Sequence, residues 1–204
     1  VSRLREREPG SGACDAADVE LCALVASPDA ARAAAAAGAT RVYASCDALD
    51  ASAGEWPEGV IPVADEVCRE ADVARLDAHV RTGEAIAVGN VSTLEAAREA
   101  GAVAEVRSCV PAHNAFAAAA LERMGATGLW LSPELALDQI AAVCRGTALE
   151  CGLMVSGRVR AMTSEHCVLQ VADACIHDCA RCRLRERDLG LRNRFGEVYP
   201  VRTD

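Results

Sequence analysis

Lysine is missing from this 204-residue chain, no apolar run is long, and several familiar catalytic and nucleotide-binding signatures are absent. All 21 basic residues are arginine, which points to codon usage in a GC-rich genome more than to chemistry. It leaves bidentate anion binding open wherever geometry arranges it. Apolar stretches such as 33–37 and 85–88 fall far short of the about 20 residues that a membrane-spanning helix needs, and nothing resembles a signal peptide. A cytoplasmic protein with no membrane partner is expected. No G-x-G-x-x-G follows the first predicted strand and no G-x-x-x-x-G-K-[ST] occurs, so a dinucleotide fold and a P-loop both lack support. Neither H-E-x-x-H nor G-x-S-x-G is present, which removes two hydrolase signatures.

What is present describes one domain of ordinary size, 51% hydrophobic and large enough for a real core. Eleven cysteines form an odd set, and in a reducing compartment they serve as ligands or small buried hydrophobes rather than as a disulfide framework. Charge is uneven. Residues 1–157 carry 12 Arg against 23 acids, a net of −11, whereas residues 158–204 carry 9 Arg against 7 acids, a net of +2. The arginines between Arg181 and Arg194 suit an anionic substrate such as RNA, or simply form a solvated face.

Residues 1–14 read as a linker or disordered segment, charged and containing Pro-Gly-Ser-Gly. Without an initiating Met, the sequence reads as part of a longer chain that extends N-terminal to residue 1. Residues 15–157 repeat one grammar: a short β-branched or apolar run, a turn, an Ala-rich helix, a glycine, and the next run. Ser27-Pro28-Asp29 caps the first helix, and Gly38 is placed to end it in the left-handed conformation. Strands are expected at 19–26, 40–45, 60–63, 85–88, 103–106, 128–131 and 149–155. Helices are expected near 65–82, 92–100, 113–124 and 134–146. About seven parallel strands with helical crossovers make an α/β fold of the TIM-barrel type, complete or one strand short. Residues 158–204 form an irregular Cys-rich segment expected to pack on that barrel.

The segment carries Cys167, Cys175, Cys179 and Cys182, spaced C-x7-C-x3-C-x2-C within sixteen positions. Thiolates are soft ligands suited to zinc or an iron–sulfur cluster, and one irregular stretch can wrap a single centre. Zinc ribbons usually present two C-x2-C knuckles, and here only Cys179 and Cys182 form one. The wider gaps suit a 4Fe-4S cluster better, with zinc the alternative. His177 lies inside the pattern and could replace one thiolate. The last strand leads through Ser156-Gly157-Arg158 directly to these cysteines, which puts them at the C-terminal ends of the barrel strands, where such folds keep their chemistry. Arg158 and Arg160 are candidate anion-binding residues there.

From about Val19 onward the chain resembles the collagenase-like peptidase family U32. The resemblance rests on GATGLWLSPELALDQI at 125–140, LMVSGRVRAMTSEHC at 153–167 and LRNRFGEVYPV at 191–201. The stretch 110–116, with His113 and Asn114, is similar to a degraded form of the family's strand-to-helix turn, which makes Asn114 a candidate substrate contact. The resemblance implies an α/β barrel and, by analogy with several branches, an oxygen-independent hydroxylating enzyme with a 4Fe-4S cluster on the four cysteines, acting on RNA or another anionic molecule. The family label implies instead a peptidase acting on polypeptide.

Peptidase chemistry needs an activated nucleophile or water with a base in reach. Glu165 and His166 are the candidate acid and base, but as neighbours in sequence they point apart in any regular element and serve equally well around the metal. Glu134 in Ser132-Pro133-Glu134 reads as part of a helix cap. Three function classes stay open: an iron–sulfur hydroxylase, a peptidase, and a non-catalytic domain stapled by a four-cysteine zinc site.

Overall fold

In the computed structural model, the described residues are 2–3, 19–52, 55–164, 167–171, 175–178, 181–182 and 189–201. The chain divides into two compact units, Val1–Arg158 and Val159–Asp204. Among the described residues no helix is long and apolar enough to cross a membrane.

The first unit contains seven parallel strands in chain order: β2 (Cys22–Val25), β3 (Arg41–Ser45), β4 (Ile61–Val63), β5 (Ala85–Val88), β6 (Val103–Val106), β7 (Ala126–Trp130) and β8 (Glu150–Leu153). Each pairs with its sequence neighbour, and the sheet curls into a half-barrel in which β2 and β8 are not joined. A two-residue strand, β1 (Ser2–Arg3), adds antiparallel to β8. Strict sequential order with parallel pairing follows when every connection crosses over in the same right-handed sense. The crossover helices are α1 (Pro28–Ala36), α2 (Cys46–Ala51), α3 (Val73–Asp77), α4 (Val91–Ala100), α5 (Ala115–Arg123) and α6 (Leu137–Arg145).

The two-residue side-chain period of the strands divides the core into two layers. Ile86, Val88, Ala104, Val106, Leu129 and Cys151 face the helices and pack with Leu94, Ala97, Leu121, Ile140 and Val143. Each fully buried Leu or Ile in that layer contributes about 1.5–3 kcal/mol. On the opposite face Cys22, Tyr43, Ile61, Val63 and Ala87 form a smaller cluster with Trp130 beside it.

The expected punctuation is realised at the helix ends. Ser27 Oγ accepts the amide of Ala30 with Pro28 in the first turn of α1. Gly38, Gly101 and Gly125, which close the repeated helix-to-strand junctions, all have positive φ.

Two helices differ from expectation. The stretch 65–82 is helical only in the short 3-10 turn Glu70–Asp72 and in α3. Its first residues are tied to the sheet instead: Asn90 Nδ2 donates to the Asp65 carbonyl at 3.1 Å, and a Cβ on Gly89 would lie 2.6 Å from that oxygen. The second helix starts at Leu137 rather than near 134. Ser132 accepts from the Glu134 amide and closes a turn, while Gln139 Oε1 accepts the Ala136 amide and begins the helix proper. Helix α2 was not expected; Ser45 caps it through the Ala48 amide directly after β3.

The second unit contains the short helix α7 (Val168–Val171) and an antiparallel hairpin of β9 (Leu189–Arg192) and β10 (Val198–Val201). Asn193 closes the hairpin, its Oδ1 accepting the amides of Phe195 and Glu197.

Candidate functional site

Cys167, Cys175 and Cys182 are free, half-buried thiols. The Cys175 sulfur accepts the His177 backbone N–H at 3.3 Å, in a turn where His177 takes a left-handed φ of 56°. That conformation costs a non-glycine residue free energy unless a local contact compensates. An amide aimed at sulfur stabilises a thiolate more than a thiol, which is how outer-sphere hydrogen bonds support cysteine ligands. Among the described residues, no three His, Cys, Asp or Glu side chains converge closely enough to hold a metal ion. Cys179, Glu165 and His166 lie outside the described residues. The donor set of four thiols in sixteen residues fits a zinc ion or an iron–sulfur cluster by its chemistry.

Arg158 and Arg160 are exposed. Asn114 is the N-cap of α5, its Oδ1 accepting the Ala117 amide at 2.9 Å, and His113 beside it is exposed. Within the first unit, His113 and Asn114 lie past the end of β6 and Arg158 past the end of β8.

The ends of β4, β5 and β6 are laced together. Arg107 Nη1 donates to the Ala64 carbonyl at 2.9 Å and stands 3.9 Å from the Asp65 carboxylate. The Cys109 thiol donates to the Gly89 carbonyl at 3.4 Å. This bracing fixes the C-terminal rim of the half-barrel.

The concave face holds a buried polar cluster that sequence reasoning passed over. Glu105, only 5% exposed, accepts hydrogen bonds from the Tyr43 hydroxyl at 2.8 Å and from Trp130 Nε1 at 3.0 Å, and pairs with Arg41. The carboxylate thereby holds two rings in an edge-to-face pair, centroids 5.0 Å apart at 87°. The Arg41 guanidinium sits 5.5 Å from the Tyr43 ring centroid. Gly128 makes room for this arrangement, since a Cβ there would come within 3.2 Å of Glu105 Cγ. The niche beside the cluster, between Cys22, Trp130 and Glu150, has room for about one water molecule. The cluster therefore acts on the sheet itself, fixing strands β3, β6 and β7. Its signal was available: Glu105 is the lone charge in Val-Ala-Glu-Val, and Arg41 opens the strand that carries Tyr43.

A second ionic group ties α2 to α3. Asp50 accepts from His79 Nε2 at 2.8 Å and from Arg75 Nη1 at 3.0 Å, and Arg75 also reaches Asp47 at 2.7 Å. Beneath them, burial pushes the Cys46 thiol up to about 12, so it stays protonated and inert. Burial alone would raise the Asp50 carboxyl, but the hydrogen bonds from Arg75 and His79 outweigh it and hold it below its ordinary 3.8. A carboxyl depressed in the folded state stabilises fully above its unfolded value and ceases to as pH falls through the folded one. The stability difference between the protein and Asp50→Asn is therefore expected to be present at neutral pH and to vanish in acid. Asp50 is 39% exposed, and solvent screening keeps the difference below about 1 kcal/mol. Urea unfolding of both proteins across the acid range measures it.

No protein-family model matches the chain, and no curated protein or solved structure matches it.

Proposed function

We propose that this chain is the barrel region of an oxygen-independent hydroxylating enzyme similar to the U32 family, with an iron–sulfur cluster held by Cys167, Cys175, Cys179 and Cys182 and an anionic substrate such as RNA. The observation that carries this reading is the Cys175 turn. A left-handed His177 aims its amide at one sulfur of a four-cysteine set, the arrangement expected of a ligand rather than of a packing thiol. A bound cluster supplies electron transfer or a soft Lewis-acid iron to the site. The chain's own residues hold and tune it. The His177 amide donates to the Cys175 sulfur and orients it, and the exposed Arg158 and Arg160 attract anions.

A closed zinc site is the second reading, because the same N–H to sulfur turn serves a thiolate on zinc. Protein purified without oxygen separates the two. A brown preparation whose colour is absent from Cys175→Ala supports the cluster. A colourless, zinc-loaded one would replace it with a structural staple.

A further inference from the structure

We infer that Thr163 is a phosphorylation site for an arginine-directed Ser/Thr kinase, and that phosphate there cancels the anion-attracting charge of Arg158 and Arg160. The sequence carries the recognition. Of all the Ser and Thr residues in the chain, Thr163 alone has an arginine three positions before it, Arg160, and Arg158 adds a second five positions before. Kinases that select substrates by charge pattern pair such arginines with carboxylates in their cleft, and a guanidinium makes that pair bidentate. One arginine near a hydroxyl is easily accidental. Two at fixed spacings before the same hydroxyl make a far more specific signal.

The structure supplies the access. Residues 155–164 are exposed without a break and belong to no helix or strand, with Met162 beside Thr163 at 74% exposure. A hydroxyl in a regular element must be released by local unfolding before it can enter a kinase cleft, and this one needs no such step. Other hydroxyls are committed to the fold: Ser27 and Ser45 cap α1 and α2, and Thr82 and Thr127 donate to backbone carbonyls. Among the described residues Thr163 makes no hydrogen bond. Residues 155–164 contain both arginines and no acid, a net of +2. A phosphothreonine brings about −1.5 to −2 near neutral pH and three acceptor oxygens, which offsets that charge and gives the guanidiniums a neighbouring anion in place of one from solution. In the transfer, Thr163 Oγ1 bonds to the γ-phosphorus of ATP as the bond from that phosphorus to the β–γ bridging oxygen breaks; ADP leaves with the electron pair, and the hydroxyl proton passes to the kinase's catalytic Asp. The effect on anion binding rests on the anionic-substrate reading of Arg158 and Arg160, whereas the modification itself does not.

Incubation of the whole folded chain with Mg-ATP and a purified kinase catalytic domain that prefers Arg at those two spacings, followed by mass mapping, tests it. One phosphate on Thr163 is expected, absent from Thr163→Ala and incorporated at least about tenfold more slowly in Arg160→Ala, where a charge-assisted pair with the kinase is lost. Both positions are exposed, so circular dichroism should not change in either variant. Binding of a labelled single-stranded oligoribonucleotide, read by fluorescence anisotropy, is expected to weaken at least about threefold on phosphorylation at ~50 mM salt, with the log–log salt slope flatter by about one to two. No phosphate on Thr163, a rate that Arg160→Ala leaves unchanged, or the same measurable affinity and salt slope for both forms would overturn the inference. A chain that is phosphorylated as expected but binds no oligoribonucleotide in either form would sustain the modification site and overturn its claimed effect together with the RNA reading.

Discussion

Replacing Glu105 by alanine is expected to destabilise the first unit by about 3–5 kcal/mol, measured as a lower urea midpoint at unchanged slope. The carboxylate is 5% exposed and accepts from Tyr43 and Trp130 while pairing with Arg41. Removing it leaves a guanidinium with only 16% of its side chain exposed and no counter-charge, and it frees two ring donors inside the sheet. Shape loss adds to this, because Gly128 leaves no side chain to fill the space under Glu105. Glu105→Gln should cost less than alanine, since it keeps an acceptor for the ring donors, yet it still strands the Arg41 charge. The double change Glu105→Leu with Arg41→Met should be less damaging than Glu105→Ala, because it removes both members of a desolvated pair together. A loss below about 1 kcal/mol for Glu105→Ala would show that water already solvates the cluster.

The second large effect concerns the cysteines. If all four thiolates hold one centre, Cys182→Ala removes a ligand and with it most of the free energy that metal binding adds to folding, which for structural zinc is about 10–16 kcal/mol near neutral pH. The hairpin and α7 are expected to lose protection against amide exchange, while the half-barrel, with its own helix-facing core, keeps its protection. Thiols must release protons to bind, so the metal-dependent part of stability is expected to fall as pH is lowered. Equal exchange protection in the variant and the parent, metal-loaded or chelated, would mean that the second unit does not depend on a metal.

Much of the fold was legible because the chain repeats one local grammar. Strand runs of β-branched and small apolar residues, Ser or Asn caps and a glycine before each return strand are short-range signals, and the seven parallel strands fell where those signals put them. The misplacements were tertiary. Nothing local in 65–82 forbids a helix, but the Asp65 carbonyl accepts from the Asn90 side chain 25 residues away, an approach for which Gly89 leaves room, and the Glu66 amide turns back to the Asp65 carboxylate. The Glu105 cluster was missed for a related reason. A single carboxylate in an apolar strand is readable as an anomaly, but its partners Arg41, Tyr43 and Trp130 come from two other strands, and only the curl of the sheet brings them together. For the cysteines the balance is reversed: their spacing is a sequence property, whereas Cys179, Glu165 and His166 lie outside the described residues.

Iron and acid-labile sulfide, counted per chain in protein made and purified without oxygen, test the account most directly. It predicts about four of each per chain, falling to below about half in Cys179→Ala, as a 4Fe-4S cluster on four thiolates requires. Zinc at about one per chain with no sulfide, or an iron content that Cys179→Ala leaves unchanged, would contradict it.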